Sequence, residues 1–349
     1  MRSKTKLKTG VIGASGYTGA DLIRLALAHP HVELTVLAAK THAGKAMGDV
    51  FPHLGTYGLP DLVDSDDVDW SALDAVFCGL PHGTAHQIIS TLPKDLKVVD
   101  MSADFRLRDA ATYAKWYGLE HGAQELMPQS VYGLTEHYRD EIKGARLVAC
   151  PGCYPTATLM ALLPLVSAGL IDPADLIVDA KSGVSGAGRA LKQNTLFTEA
   201  GEGLSPYAIG KHRHAPEIEQ EIGRAAGVDV TVNFTPHLIP MSRGELVTCY
   251  VRLTDDHTAG DLRTALDAAY GSEPFVHVLA EGKIPQTHNV RGSNHCHIAV
   301  FDDRIPGRAI VIGTLDNLVK GSAGQALQNF NLMCGLPETT GLEQVALFP

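Results

Sequence analysis

The chain has 349 residues, of which 45% are hydrophobic and 19% charged, and its 29 basic against 39 acidic side chains leave a formal charge of −10 at pH 7. That composition suits a globular protein of about two domains and excludes a disordered chain, a coiled coil or a collagen. No run approaches the roughly 18 apolar residues of a membrane span, and the acidic total argues against nucleic acid as a partner while leaving room for small phosphorylated ligands on a local basic patch.

The N-terminus is basic, then briefly apolar, and Val11-Ile12 meets glycine at once. This predicts a strand over 7–13 and not a signal peptide. A helical stripe over 18–28 (Leu22, Ile23, Leu25, Ala26, Leu27) ends at His29-Pro30, and strand-like runs follow at 32–38, 75–78 and 96–100, with a helix over 84–92. Strand, helix, strand, repeated, predicts a parallel α/β sheet of the Rossmann type. From about Ile171 the texture changes. Strands are predicted at 176–180, 230–239, 244–253, 275–279, 296–301 and 309–315, with a helix over 258–270 and a turn over 302–308 between two strands, an α+β pattern with a mainly antiparallel sheet. The block 316–333 is helical again. The expected organisation is a dinucleotide-binding domain of residues 1–150 plus 316–349 and a catalytic and oligomerisation domain of residues 151–315. The six cysteines fall in a chain whose core needs no disulfides, so free thiols and a cytoplasmic setting are expected.

Gly13-Ala14-Ser15-Gly16-Tyr17-Thr18-Gly19 spells G-x-x-G-x-x-G between a strand and a helix. Glycines there allow a tight turn and let a pyrophosphate approach the amides at a helix N-terminus. The second strand ends Ala38-Ala39-Lys40-Thr41 without the acid that would bond an NAD ribose. Lys40 and Thr41 suit a 2′-phosphate, which favours NADP(H) over NAD, the alternative being a solvated loop.

The segment 147–156 is a buried strand, a Pro-Gly turn and Cys153 ahead of a helix predicted over 157–163. A thiol at a helix N-terminus gains from the orphan N–H groups, which favour the thiolate, and the adjacent amides suit an oxyanion. Cys153 is therefore read as a nucleophile, with Cys150 a buried neighbour. A redox dithiol or half a zinc site are the alternatives for the Cys-x-x-Cys pair. Zinc wants a second pair of ligands, and no metal is expected. Lys211-His212-Arg213-His214 precedes a helix opening at Pro216. If the run is extended, His212 and His214 share a face, so that one of them can activate the thiol while a neighbour binds an anion. Ser102 and Arg106, after the strand ending at Asp100, offer either anion recognition or an Asp–Arg structural pair. The glycine-rich loop 182–189 suits the nicotinamide end of a cofactor or a mobile hairpin, and His295-Cys296-His297 is read as structural.

The stretches GASGYTGADL at 13–22, DMSADFRL at 100–107, PGCYPT at 151–156, SGVSGAGR at 182–189, KHRHAPEI at 211–218 and DNLVKGSAGQA at 316–326 together resemble the N-acetyl-γ-glutamyl-phosphate reductases, NADP-dependent enzymes of arginine biosynthesis. The resemblance spans nearly the whole chain. It implies a second domain like that of glyceraldehyde-3-phosphate dehydrogenase and a C-terminal helix that completes the cofactor domain. It makes Cys153 the active-site cysteine and His214 the acid/base with His212 beside it. It places Arg106, with Ser102 in the same motif, and Lys211 where substrate anions are expected, and Ser185, Gly186 and Asn317 near the cofactor. It implies a small acyl phosphate as substrate, with a lysine-pathway acyl phosphate, aspartyl phosphate or a silent NADP-binding regulator as rivals, and a homo-oligomer, dimer or tetramer, as the assembly. One departure is Cys150, where many members carry Asn.

Overall fold

A computed structural model describes residues 6–349. The chain divides into two compact units, Met1–Pro151 with Ser322–Glu343, and Gly152–Gly321 with Gln344–Pro349.

The first unit opens with β1 (Leu7–Ile12), α1 (Tyr17–Leu27) and β2 (Val32–Ala38), continues through the one-turn α2 (Met47–Val50), β3 (Leu62–Val63), β4 (Ala75–Cys78), α3 (Ala85–Thr91), β5 (Lys97–Asp100), α4 (Ala110–Tyr117), β6 (Ser130–Tyr132) and α5 (Thr135–Gly144), and reaches β7 (Leu147–Ala149). Its sheet runs β3-β2-β1-β4-β5-β7-β6, and every pairing is parallel. All four residues of β4 and all three of β7 are buried, the unbroken apolar reading of strands covered on both faces. The strand order reverses direction at β1, where open α/β sheets place their ligand crevice beyond the carboxyl ends of the strands. The Gly13–Gly19 turn follows at that end.

The second unit holds α6 (Cys153–Ser167), β8 (Ile171–Gly183), the one-turn α7 (Phe197–Ala200), β9 (Ser205–Pro206), α8 (Ala215–Ala226), β10 (Asn233–Ile239), β11 (Glu245–Leu253), α9 (Ala259–Tyr270), β12 (Val276–Val278), β13 (Cys296–Asp302) and β14 (Arg308–Leu315). Its sheet runs β12-β13-β14-β11-β8-β10-β9. The expected antiparallel character holds for four of its pairings, while β10 on β8 and β12 on β13 are parallel, which makes the sheet mixed. The parallel pairs are those whose connections carry α8 or a long loop, the length a crossover needs.

Helix α6 lies on β8, β11 and β14 and against α8 and α9. It is apolar all round, with Leu159, Met160, Leu162 and Leu165 buried, each worth about 1.5–3 kcal/mol against exposure. Pro155 sits in its first turn, where a missing N–H leaves no intrahelical bond unmade. The helix begins at Cys153, four residues before the predicted start at 157, because Gly152 serves as N-cap in extended geometry and its carbonyl accepts from Thr156 N at 2.9 Å. On β11 the residues Glu245, Val247, Cys249 and Val251 are buried and the alternate ones less so, the period of two expected of a strand with one covered face.

The last helix, α10 (Gly324–Met333), belongs to the first unit, where it packs on α5, β5 and α1. The segment 316–321 and the last six residues group instead with the second unit. Two contacts account for this: Asp316 Oδ2 accepts from Gly292 N at 2.7 Å, and Leu347 N donates to the Arg291 carbonyl at 2.8 Å.

Candidate active site

The Gly13 turn is built for close approach. Gly13 has φ +85°, and a Cβ there would meet the Gly79 carbonyl oxygen at 2.5 Å; one at Gly19 would meet the Gly13 carbonyl oxygen at the same distance. Both positions therefore require glycine for the chain to turn and for α1 to sit against the strand end. Gly16 is different: it is the N-cap of α1, with φ −86°, and a Cβ there would meet only Gly13 O at 3.5 Å. The first turn of α1, which contains Tyr17, Thr18 and Gly19, carries no acid, so its positive end stays available to an anion near Ser15 and Gly16. Lys40 and Thr41 lie in a short 3-10 turn after β2. Lys40 reaches Asp66 at 3.4 Å with both side chains about three-quarters exposed, a pairing of little energetic weight that a ligand phosphate can displace.

In the second unit Cys153 is the first residue of α6. The Gly152 amide donates to Glu217 Oε1 at 2.9 Å. The His214 imidazole lies directly on Gly152: a Cβ there would come within 2.4 Å of Nε2. Gly152 has ordinary extended φ, so glycine is required by the ring and not by the backbone. The other side of the cysteine is equally close, since a Cβ on Gly321 would sit 2.7 Å from Cys153 Cβ and 3.2 Å from Leu315 Cδ1.

The run 211–214 is not extended, so the condition under which strand parity would put the two histidines on one face is not met. It turns, with the His212 carbonyl accepting from Ala215 N and His214 in helical geometry as N-cap of α8. The two imidazoles still meet, edge to face at 4.7 Å, and His214 N donates to His212 Nδ1 at 3.1 Å. Tyr154, Tyr207 and Phe234 pack around them. Burial, helped by the Arg213 charge, pushes the His212 imidazole down to about 4, so at neutral pH it is an uncharged ring behind His214. Lys211 is exposed at the mouth of this turn.

Asn317 bridges two loops of the same unit. Its Oδ1 accepts from Gly244 N at 2.9 Å and its Nδ2 donates to Ser185 Oγ at 3.0 Å, which brings Ser185, Gly186 and Asn317 together. Ser102 and Arg106 are engaged in structure. The Ser102 hydroxyl donates to Asp100 Oδ2 at 2.9 Å and accepts from Asp104 N, so this buried group is consumed within its own turn. Arg106 donates through Nε to the Cys150 carbonyl at 2.8 Å and through a terminal nitrogen to the Met101 carbonyl. Asp100 is pushed up to about 7 by burial, against the pull of its Ser102 hydrogen bonds and Arg106. Cys150 is buried, with Asn329 Nδ2 3.6 Å from its sulfur.

Two carboxylates beside the cysteine were not singled out by sequence reasoning. Glu217 sits inside the KHRHAPEI stretch, where an acid in the first turn of a helix reads as a routine dipole partner. Glu245 opens β11 and had a legible signal: it falls in phase with Val247, Cys249 and Val251 on the covered face.

Two family models match the chain: residues 8–145 match the semialdehyde dehydrogenase NAD-binding domain and residues 153–317 the semialdehyde dehydrogenase dimerisation domain. Fold and matches together define a semialdehyde dehydrogenase. The chain is 18% identical to the crystal structure of an aspartate semialdehyde dehydrogenase with NADP from Candida albicans (TM-score 0.69, covering 95% of this chain and 99% of that one) and 16% identical to aspartate semialdehyde dehydrogenase II of Vibrio cholerae (TM-score 0.71, with the same coverages). It is 55% identical over 349 residues to a probable chloroplastic N-acetyl-gamma-glutamyl-phosphate reductase of Arabidopsis thaliana, covering 100% of this chain and 87% of the relative. It is 53% identical to the N-acetyl-gamma-glutamyl-phosphate reductase of Paracoccus denitrificans, covering 98% and 99%. The chain belongs to the N-acetyl-gamma-glutamyl-phosphate reductase family.

Proposed function

We infer that this chain catalyses the NADPH-dependent reduction of N-acetyl-γ-glutamyl phosphate to N-acetyl-L-glutamate 5-semialdehyde and phosphate, a step of arginine biosynthesis. The observation that carries this reading is the placement of Cys153 at the first position of α6 with the His214 ring against the preceding glycine, in a chain whose full-length relatives at 53–55% identity bear that enzyme's name.

The chemistry follows from these groups. The Cys153 thiolate, favoured at a helix N-terminus, attacks the acyl carbon. The C–O bond to phosphate breaks and a thioester forms on Cys153. The amides at the start of α6 are suited to the oxyanion of that step. NADPH, when bound, would supply a hydride to the thioester carbonyl carbon, which leaves a thiohemiacetal on Cys153. His214 handles the proton on the developing oxygen, and the C–S bond then breaks to release the aldehyde and restore the thiolate. Covalent capture keeps water from competing for the acyl group. Lys211 and Arg106 are assigned to substrate anions and Ser102 to shaping the Arg106 turn.

The residues present fit NADP(H). An acid-free helix N-terminus receives the pyrophosphate at Gly13, Ser15, Gly16, Tyr17, Thr18 and Gly19, Lys40 and Thr41 take the 2′-phosphate, and Ser185, Gly186 and Asn317 hold the nicotinamide end. The working form is a homo-oligomer, a dimer or tetramer. The match of residues 153–317 to a dimerisation domain and the exposed Leu191, Phe197 and Ile209 within it support this. Cytoplasm is the proposed setting, supported by six cysteines of which none is in a disulfide. Among the described residues no helix is long and apolar enough to cross a membrane.

The test is phosphate-dependent NADP reduction with N-acetylglutamate semialdehyde. The parent is expected to be active and Cys153→Ser to lose at least about three orders of magnitude in kcat. Comparable rates from both would overturn the covalent reading.

A further inference from the structure

Glu245 is a carboxyl in a place that disfavours one. It is fully buried, at the first position of β11, between Ser182 of β8 and Leu315 of β14. It lies on the face of β11 covered by α6. Neither of its oxygens makes a well-formed hydrogen bond among the described residues. The group it approaches is the Cys153 thiol; Gly321 sits beside both Cys153 and Leu315, since a Cβ there would come within 2.7 Å of Cys153 Cβ and 3.2 Å of Leu315 Cδ1. A buried carboxyl without a cationic partner costs free energy that an apolar side chain of similar shape would not. Such a group beside a nucleophile is where a functional role is expected.

We propose that Glu245 and Cys153 act as one acid pair, in which a single proton is held between the carboxyl and the sulfur and the singly ionised pair is the reactive form of the enzyme. The proposal rests on Cys153 being the reacting sulfur and extends that reading to the residue that controls its proton. The pair loses its first proton to solvent. The proton that remains sits on Glu245 while the sulfur carries the charge, so the S–H bond is replaced by the carboxyl O–H. When the thioester forms, the carboxyl keeps this proton, and when the thiohemiacetal breaks down, the sulfur leaves as thiolate beside the same neutral carboxyl. No net proton is gained or lost on Glu245 over a turnover, and His214 is left to serve the substrate oxygen. A second ionisation places two negative charges side by side in a buried site and is disfavoured.

The surroundings fit this assignment. Burial pushes the Glu245 carboxyl up to about 8, its contact with the thiol pulling it down and the Asp316 charge raising it. Asp316 in turn lies 3.6 Å from Arg243. Tyr154 and Tyr207 lie close to the cysteine, and burial raises both phenols, so they stay neutral. Glu217 is tied to the Gly152 amide and His214 covers that glycine. Lys320 adjoins Gly321, with its amine over the Phe275 ring.

The test is the pH dependence of Cys153 alkylation by iodoacetamide, followed by mass of the Cys153 peptide in the full-length protein. In the parent the rate is expected to rise in two separated steps, one for each ionisation of the pair. Glu245→Gln, which preserves shape but cannot ionise, is expected to show a single step, with kcat losing the corresponding limb of its pH profile and KM changed less than twofold. A two-step profile retained in Glu245→Gln, or kcat and KM changed together with an unshifted profile, would overturn the pair. If Glu245→Gln does not fold, the parent itself gives the answer by infrared difference spectroscopy on alkylation. A shift in a protonated-carboxyl band supports the pair, and its absence refutes it. Loss of activity on alkylation with only one step in the parent would retain Cys153 as nucleophile and discard Glu245. Two steps with activity surviving alkylation would do the reverse.

Discussion

The protein contains two strand–glycine–helix turns that use the same backbone electrostatics for different ends. At the start of α1, the glycines serve the fold: Gly13 supplies a positive φ and Gly19 a close contact, and no acid competes in the first turn. The helix end is left for a ligand's negative charge. At the start of α6, Gly152 has an ordinary conformation and is glycine because a ring occupies the space where a Cβ would be. Here the first position of the helix holds the Cys153 sulfur, the proposed nucleophile, with an imidazole and two buried carboxyls around it. A helix N-terminus is thus a generic device. What stands at its first position and what its N-cap makes room for decide whether it binds or reacts.

The sharpest way to break the comparison is Cys153→Ser, which is expected to abolish turnover while NADPH binding, measured by fluorescence, is retained, since the binding turn lies at the other helix. Simultaneous loss of both would mean the two ends are not independent devices. Next in size is Gly152→Ala. Its methyl must displace the His214 ring, so kcat is expected to fall about 10²-fold, the contribution typical of a positioned acid/base. The midpoint of thermal unfolding should move little, because an imidazole at a partly open site can shift. A variant with unchanged kcat would remove His214 from the chemistry.

How much of this was legible in the sequence differs between the two turns. The first was readable almost completely, because glycines at fixed spacing between an apolar run and a helical stripe leave few other structures open. The second was readable at Cys153 but not around it. Strand parity pairs the two histidines only if the run 211–214 is extended; the chain instead turns, and the rings meet because His214 N reaches back to His212 Nδ1. For Ser102 and Arg106 the sequence leaves anion recognition and a structural role equally open, and in the structure both engage polar groups of their own turn or the Cys150 carbonyl. Such partners depend on which backbone carbonyls the fold leaves open, and a sequence does not state this. Asp104 shows the same limit: it accepts from Gly83 N, His86 N and Tyr113 Oη, partners separated from it by up to 21 residues and with no common motif. Glu245 could have been found from its parity alone, as an acid on an otherwise apolar strand face.

A smaller effect is expected from Lys40→Ala. Its exposed contact with Asp66 contributes little to stability, so folding should be unchanged. Removing one cation from a 2′-phosphate should raise KM for NADPH about tenfold, near 1.4 kcal/mol, and leave KM for NADH close to its original value. Equal changes for both dinucleotides would move Lys40 out of the phosphate site and weaken the view of the first turn as an anion receptor.

The smallest expected effect on function is from Gly16→Ala, and it is the most discriminating for the first turn. Gly13 and Gly19 cannot be tested for ligand binding by substitution, since a Cβ at either collides with backbone at 2.5 Å and the fold would respond first. Gly16 has φ −86° and meets nothing closer than 3.5 Å, so alanine fits without strain. The cost should be about 1 kcal/mol, the gap by which alanine falls short of glycine at an N-cap. The methyl would, however, stand where a pyrophosphate must approach the amides of α1. Chemical denaturation should therefore show a loss of no more than about 1 kcal/mol, while the NADPH Kd rises at least severalfold. If the Kd is unchanged, the ligand does not seat on this helix end, and the contrast between a turn that binds and a turn that reacts would have to be redrawn around the second turn alone.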